Sequence, residues 1–198
     1  MTTPPLAAAA LDQLFVNART HNAFLDTPVT DSLLLEAARL AELGPTEANT
    51  LPGRFVFVRS PEAKAKLAPH MAAGNRDKTV AAPAAVIIAY DAEFYEQLPK
   101  TFPHVDARSW YVHRDDATKR WVAERSTALQ IGYLIIALRA LGLDAGPMGG
   151  FDAAGIDAAF FAGTSWKTYL VMNVGYGDAS KLFPRSPRLA IDEFTKIL

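Results

Sequence analysis

The stretch ALGLDAGPMGGFD, residues Ala140 to Asp152, follows the longest apolar segment of the chain and contains Gly142, Gly146, Gly149 and Gly150, with Pro147 and Met148 among them. Gly142 is placed to end the preceding helix. The other three raise a narrower question. Glycines grouped in this way mark backbone with unusual dihedrals, or backbone that must come close to something bulky. An ordinary Pro-Gly turn uses the same residues.

The segments on either side bear on that choice. Upstream, STALQIGYLIIALRALGL (126–143) is apolar nearly all the way round, which predicts a central helix buried on most sides and a large interface. Downstream, KTYLVMNVGYGD (167–178) predicts a strand, and SKLFPRSPRLAIDEFTKIL (180–198) a turn followed by an amphipathic helix. Near the start, ALDQLFVNA (10–18) has helical spacing. In TPVTDSLLLEAARLAELG (27–44), Thr30 or Asp31 is a candidate N-cap, Leu33, Leu34, Ala37, Ala38 and Leu40 form an inner face, and Gly44 is a stop. RFVFVRS (54–60) and AAVIIAYD (84–91) predict strands, separated by the helical PEAKAKLAPHMAAG (61–74). An α+β or α/β sandwich follows.

The pattern is interrupted over about 91–122, where Pro99 and Pro103 stand among Phe94, Tyr95, Phe102, Trp110 and Tyr111. This segment is either a lid or a helical excursion packed on the core or on a partner subunit. With that excursion, the 198 residues suit a single domain with a sizeable core.

Composition narrows the function. The formal net charge is -1, with 20 Lys and Arg spread among 21 Asp and Glu, so phosphate-backbone binding to nucleic acid is not expected. The chain has no cysteine, which removes thiolate metal sites and Cys nucleophiles and agrees with a reducing compartment. The opening MTTPPLAAAALDQLF is a poor signal peptide, and no apolar stretch is long enough to span a bilayer; a cytoplasmic protein is expected.

His21, His70, His104 and His113 lack metal-ligand spacing, so no protein-bound metal is expected. His104 and Asp106 lie close enough in sequence for an acid–base pair, or for a surface pair in a Pro-rich loop. Ser126 and Ser165 lie outside any nucleophile-elbow pattern, and no P-loop or GxGxxG is present. Arg19, Arg185 and Arg188 are candidates to converge on a phosphate, which guanidinium groups bind bidentately.

ARTHNAF (18–24), GPTEANTLPGRF (44–55), GNRDK (74–78), GPMGGF (146–151) and SKLFPRSPRL (180–189), in this order, resemble the FMN-dependent nitroreductase family. More narrowly, FVNARTHNAF, FYEQLPKTFPHVDARSW, ALGLDAGPMGGFD and NVGYGDASKLFPRSPRL resemble its malonic semialdehyde reductase subfamily of uracil catabolism.

The resemblance implies an α+β sandwich with a mainly antiparallel sheet, in an intertwined homodimer with two FMN sites at the interface. It implies that Arg19, Thr20, His21 and Asn22 hold the phosphate and pyrimidine side of FMN. Asn49 and Asn75 would lie near the ribityl chain or ring edge. Pro147, Met148, Gly149 and Gly150 would form a turn facing the ring, and Arg185 and Arg188 would lie on the phosphate. With NADH or NADPH as hydride donor, the implied reaction reduces malonic semialdehyde to 3-hydroxypropanoate. A broad nitro or quinone reductase and a non-catalytic flavin-binding protein are the alternatives. The proton donor is left among bound water, His104 and Tyr111. The chain departs from the family pattern at Ala18, at Leu51, Pro52 and Gly53, and at Glu47, where a small hydroxyl residue is common.

Overall fold

A computed structural model describes residues 3–198. Its centre is a four-stranded antiparallel sheet made of β1 (Gly53–Val58), β2 (Ala84–Asp91), β3 (Asp144–Met148) and β4 (Trp166–Gly175), in the order β1-β2-β4-β3. β2 is buried along its whole length, as its unbroken apolar run requires. Alternate side chains feed two cores. Ala84, Val86 and Ile88, with Met172 and Val174 of β4, meet Leu34, Leu134 and Leu138. Ala85, Ile87 and Ala89 meet Leu67, Met71 and Ile156 on the other face. The result is the expected α+β sandwich.

On the first face lie α1 (Asp31–Glu42) and α4 (Asp116–Ala140). Thr30 is the N-cap of α1, its hydroxyl accepting the Leu33 N–H at 3.3 Å, and Leu34, Ala37 and Ala41 are its buried stripe. α4 begins well before Ser126, because Asp115 caps it by accepting the Thr118 N–H at 2.9 Å. The expectation of burial on most sides needs correction: Ser126, Gln130, Leu134 and Leu138 face inward, but Trp121 and Tyr133 are 57% and 45% exposed and Leu129 is exposed beside them. The helix therefore has two apolar faces and uses only one within the chain.

On the second face lie α2 (Pro61–Leu67), α3 (Ala73–Ala81) and α5 (Ala153–Phe160). The helix predicted over 61–74 is broken. Pro69 limits its continuation to a short 3-10 turn, and Met71 becomes extended and bridges to Phe151.

Gly142 ends α4 with φ +78°, and the Leu143 N–H returns to the Leu138 carbonyl at 2.9 Å. The next residues are a strand where a turn was expected. Pro147 and Met148 belong to β3, and proline is tolerated there because β3 is an edge. The C-terminal prediction is also corrected: its helix spans only Ile191–Phe194, and Leu189, Ile191, Phe194, Ile197 and Leu198 are exposed among the described residues.

The interruption after β2 contains short helices at Leu98–Thr101 and Ser109–Val112. Phe94, Leu98, Ala107 and Tyr111 pack on Tyr90, Val122 and Ala123 as a third cluster. Val105 and Trp110 remain outside.

Candidate active site

The predicted residues fall into two groups at opposite edges of the sheet. At the β3 edge, the N-terminal segment runs beside the strand, with Thr20 bridging Ala145 in parallel. This answers part of the opening question: a Cβ on Gly146 would strike the His21 carbonyl oxygen. The extended tail after β4 returns to the same place, and together they enclose a cavity of about 430 Å³ lined by Arg19, Thr20, Asn22, Arg139, Lys181, Arg185 and Arg188, among others.

Five cationic side chains and no carboxylate line this cavity. The Arg19 Nη2 donates to the Phe183 carbonyl at 2.6 Å, Arg185 Nη2 to those of Val16 and Ala18 at 2.7 and 2.9 Å, and Arg139 Nη1 to Leu14 at 3.0 Å. Each guanidinium is thereby aimed while keeping further N–H donors. Burial, with the charge of Arg185 added, holds Arg139 below the usual arginine range against the opposing pull of Asp144. An anion in the cavity would relieve this crowding of like charge, and the donor set fits a phosphate.

The exit from β3 is joined to the cavity wall through α3, whose Lys78 reaches Asn22 and whose Asn75 reaches Gly150. The Gly150 carbonyl accepts from Asn75 Nδ2 at 2.9 Å and from the Ala72 N–H at 3.1 Å. A Cβ on Gly150 would come within 2.7 Å of that Asn75 amide. Gly149 differs: a Cβ there would meet nothing within 4 Å, and its φ is not positive. Neither packing nor dihedral within the chain demands glycine at 149, so the open space beside its peptide can receive a flat group.

Lys78 donates to Asn22 Oδ1 at 3.0 Å, joining α3 to the N-terminal segment. Met148 turns its buried side chain inward, with Thr79 Oγ1 3.9 Å and Asn173 Nδ2 3.8 Å from its sulfur. His21 is buried as well. Its Nδ1 lies 3.3 Å from Asp144 Oδ1, its ring presses on Gly177, and it is not among the cavity's lining residues.

Asn49, His104 and Tyr111 lie elsewhere. β1, which Asn49 precedes, is separated from β3 by β2 and β4, about 14 Å at three strand spacings. Asn49 Nδ2 donates to the Thr101 carbonyl at 2.6 Å. Tyr111 is buried and donates its hydroxyl to Glu47 Oε1 at 3.0 Å; burial and this carboxylate push the phenol up to about 12. His104 is exposed and its ring packs on Phe102 at 4.6 Å between centroids, tilted by 60°. It forms no acid–base pair, since Asp106 instead accepts the Ser109 N–H at 3.3 Å.

Sequence reasoning did not find Arg139, Lys181 or Lys78. Arg139 closes an apolar helix and Lys181 stands in the basic tail, and no local pattern ties either to the N-terminal arginine.

A helix-covered antiparallel sheet, with a basic cavity and an open glycine peptide at one edge, defines a protein of the nitroreductase-type α+β class. A model of the nitroreductase family matches residues 16–176, and the chain belongs to that family of oxidoreductases. A Stenotrophomonas maltophilia (strain R551-3) protein is 59% identical over 192 residues, covering 97% of each chain, and a Burkholderia lata protein is 56% identical over 197 residues, covering all of both. Both carry the provisional name NADH dehydrogenase/NAD(P)H nitroreductase.

Among solved structures, a provisionally named nitroreductase of Bacillus subtilis superposes with a TM-score of 0.87 at 24% identity, over 97% of this chain and 100% of its own. Another, from Exiguobacterium sibiricum in complex with FMN, has a TM-score of 0.84 at 20% identity, over 99% and 100%. At these identities the likeness is one of fold. Among the described residues, no helix is long and apolar enough to cross a membrane.

Proposed function

We propose that this chain, as a single cytoplasmic domain, is an FMN-dependent oxidoreductase that oxidises NADH or NADPH and reduces malonic semialdehyde to 3-hydroxypropanoate in pyrimidine degradation. The observation that carries the cofactor assignment is the cavity whose charged lining residues, Arg19, Arg139, Lys181, Arg185 and Arg188, are all cations, joined through α3 to the unobstructed Gly149 peptide. FMN, when bound, supplies hydride acceptance and donation at its N5 position. The arginines hold its phosphate, with Thr20 and Asn22 on the same wall. Asn75 fixes the Gly150 carbonyl and keeps the 147–150 backbone from closing over the ring space. His21 acts indirectly, wedging Arg19 and Thr20 in place through Asp144 and Gly177.

The proton for the alkoxide comes from water or from exposed His104. Tyr111 is a poor source, because its hydrogen is held by Glu47. The subfamily substrate rests on the resemblance of residues 94–110, while the names of the Stenotrophomonas and Burkholderia relatives favour a second reading, a broader nitro or quinone reductase.

We further propose an intertwined homodimer. The uncovered Trp121, Leu129 and Tyr133 face and the exposed apolar tail support it, as does the position of Asn49, which within one chain lies at the edge opposite Gly149. In a dimer, Asn49 reaches the partner's flavin. Sedimentation analysis tests the assembly, with a monomer of 21.5 kDa contradicting it. Turnover of malonic semialdehyde against a nitroaromatic separates the two substrate readings.

A further inference from the structure

The segment 46–51 is the most strained backbone among the described residues. Ala48, Asn49 and Leu51 have φ of 45°, 52° and 42°, and no other non-glycine residue has positive φ. Such conformations disfavour residues with a Cβ and persist where surrounding contacts over-determine them. The Thr50 hydroxyl is in addition fully buried without a hydrogen-bond partner. What holds the segment is specific. The Leu51 N–H donates to Thr46 Oγ1 at 3.1 Å and Asn49 Nδ2 to the Thr101 carbonyl at 2.6 Å. The Glu47 carboxylate accepts from Tyr111 Oη at 3.0 Å on one oxygen and from Arg125 Nη2 on the other.

Each partner of Glu47 is itself held. The Tyr111 ring packs edge-on to Phe94 with centroids 5.2 Å apart, and the Arg125 guanidinium lies over the Trp121 ring at 3.8 Å. One carboxylate thus ties the strained segment to the excursion and to α4 together. Both tied pieces line one cavity of about 750 Å³, Thr50 and Leu51 from the segment and Gln97, Lys100 and Thr101 from the excursion.

We propose that Glu47 is a positioning residue for acceptor selection: clasped by Tyr111 and Arg125, it fixes the distance between the 46–51 segment and the excursion, and so the width of the mouth through which the acceptor enters. The assignment rests on the acceptor-reducing and homodimer readings above, since within one chain this cavity lies at the edge opposite Gly149. Because each oxygen of Glu47 is held by one of these partners and Glu47 does not line the cavity, it contributes shape rather than charge to the acceptor, so a small aldehyde and a small quinone both depend on it.

The test uses full-length protein loaded with FMN, as Glu47→Ala and Glu47→Gln, with malonic semialdehyde and 1,4-benzoquinone as acceptors. In Glu47→Ala, amide exchange across residues 46–53 becomes about tenfold faster while β2 is unchanged. The KM for both acceptors rises about tenfold with kcat little altered, and flavin bleaching by the nicotinamide keeps its rate. Glu47→Gln gives the same effects at roughly a third of the size, because its amide oxygen still accepts from Tyr111 while its amide NH2 cannot accept from Arg125.

Unchanged exchange in Glu47→Ala overturns the clasp, and faster exchange with unchanged KM overturns its role in acceptor selection. If wild-type flavin is not bleached by either nicotinamide, the functional reading falls and the acceptor role with it, while the exchange data still decide the clasp. Should Glu47→Ala fail to fold, Arg125→Met opens the clasp from the Arg125 side alone and is expected to match Glu47→Gln in exchange and in KM, with unchanged values overturning the proposal.

Discussion

The two edges of the sheet hold their functional residues in different ways. At the β3 edge the backbone is relaxed and the side chains are crowded: five cations surround one cavity, and the Gly149 peptide at the strand's exit has free space. At the β1 edge Glu47 is paired with Arg125 and hydrogen-bonded by Tyr111, and the backbone carries the strain, at Ala48, Asn49 and Leu51. The first arrangement suits an anion and a flat group. The second is tied to its surroundings through Glu47, Asn49 and Thr46. A binding site and a shaped wall have these contrasting signatures, and in the proposed dimer they face each other across the subunit interface.

The contrast is broken most severely at the space beside Gly149. Gly149→Ala is expected to weaken FMN binding about 100-fold by overpacking the ring's place, with melting temperature nearly unchanged because the added methyl meets no protein atom. Flavin fluorescence titration checks this, and a wild-type affinity would remove the ring from that peptide. Arg188→Ala comes next, with about tenfold weaker retention through loss of one charge-assisted contact; undiminished retention removes Arg188 from the phosphate.

The β1 edge predicts smaller effects. Tyr111 has its folded pKa raised to about 12, above the unfolded value near 10. Its stabilising contribution is therefore complete below pH 10 and is lost as pH rises through 12, amounting to about 1–2 kcal/mol. Denaturant midpoints between pH 9 and 12 should fall more steeply for wild type than for Tyr111→Phe. In turnover at neutral pH, Tyr111→Phe should cost no more than about threefold in kcat, since the phenol does not deliver the proton. A loss of about 100-fold would return Tyr111 to the chemistry.

Much of the fold was legible because burial leaves local patterns: the apolar run within β4, the unbroken apolar run of β2 and the Thr30 cap of α1 each follow from a local rule. β3 was not. Asp144–Met148 holds a glycine and a proline and has no strand propensity, and it is a strand only because β4 and the Thr20 bridge pair with it. The exposed half of α4 has a similar cause, since hydropathy reports that a face wants covering but not which chain covers it.

At the site, the arginines of the two termini were readable as a phosphate pair, while Arg139 enters the cavity through tertiary packing alone. Glu47 stood out in the sequence as a departure from the family pattern. Its meaning depends on Tyr111 and Arg125, which only the folded chain brings to it.

The most direct test of the account is the visible spectrum of the purified full-length protein, taken with FMN, after anaerobic addition of NADPH or NADH, and again after malonic semialdehyde. The account predicts a bound flavin spectrum that bleaches with the nicotinamide and returns with the aldehyde. Absence of FMN binding at micromolar concentrations would contradict the assignment of the β3-edge cavity, and bleaching that only a quinone or nitro compound reverses would contradict the aldehyde.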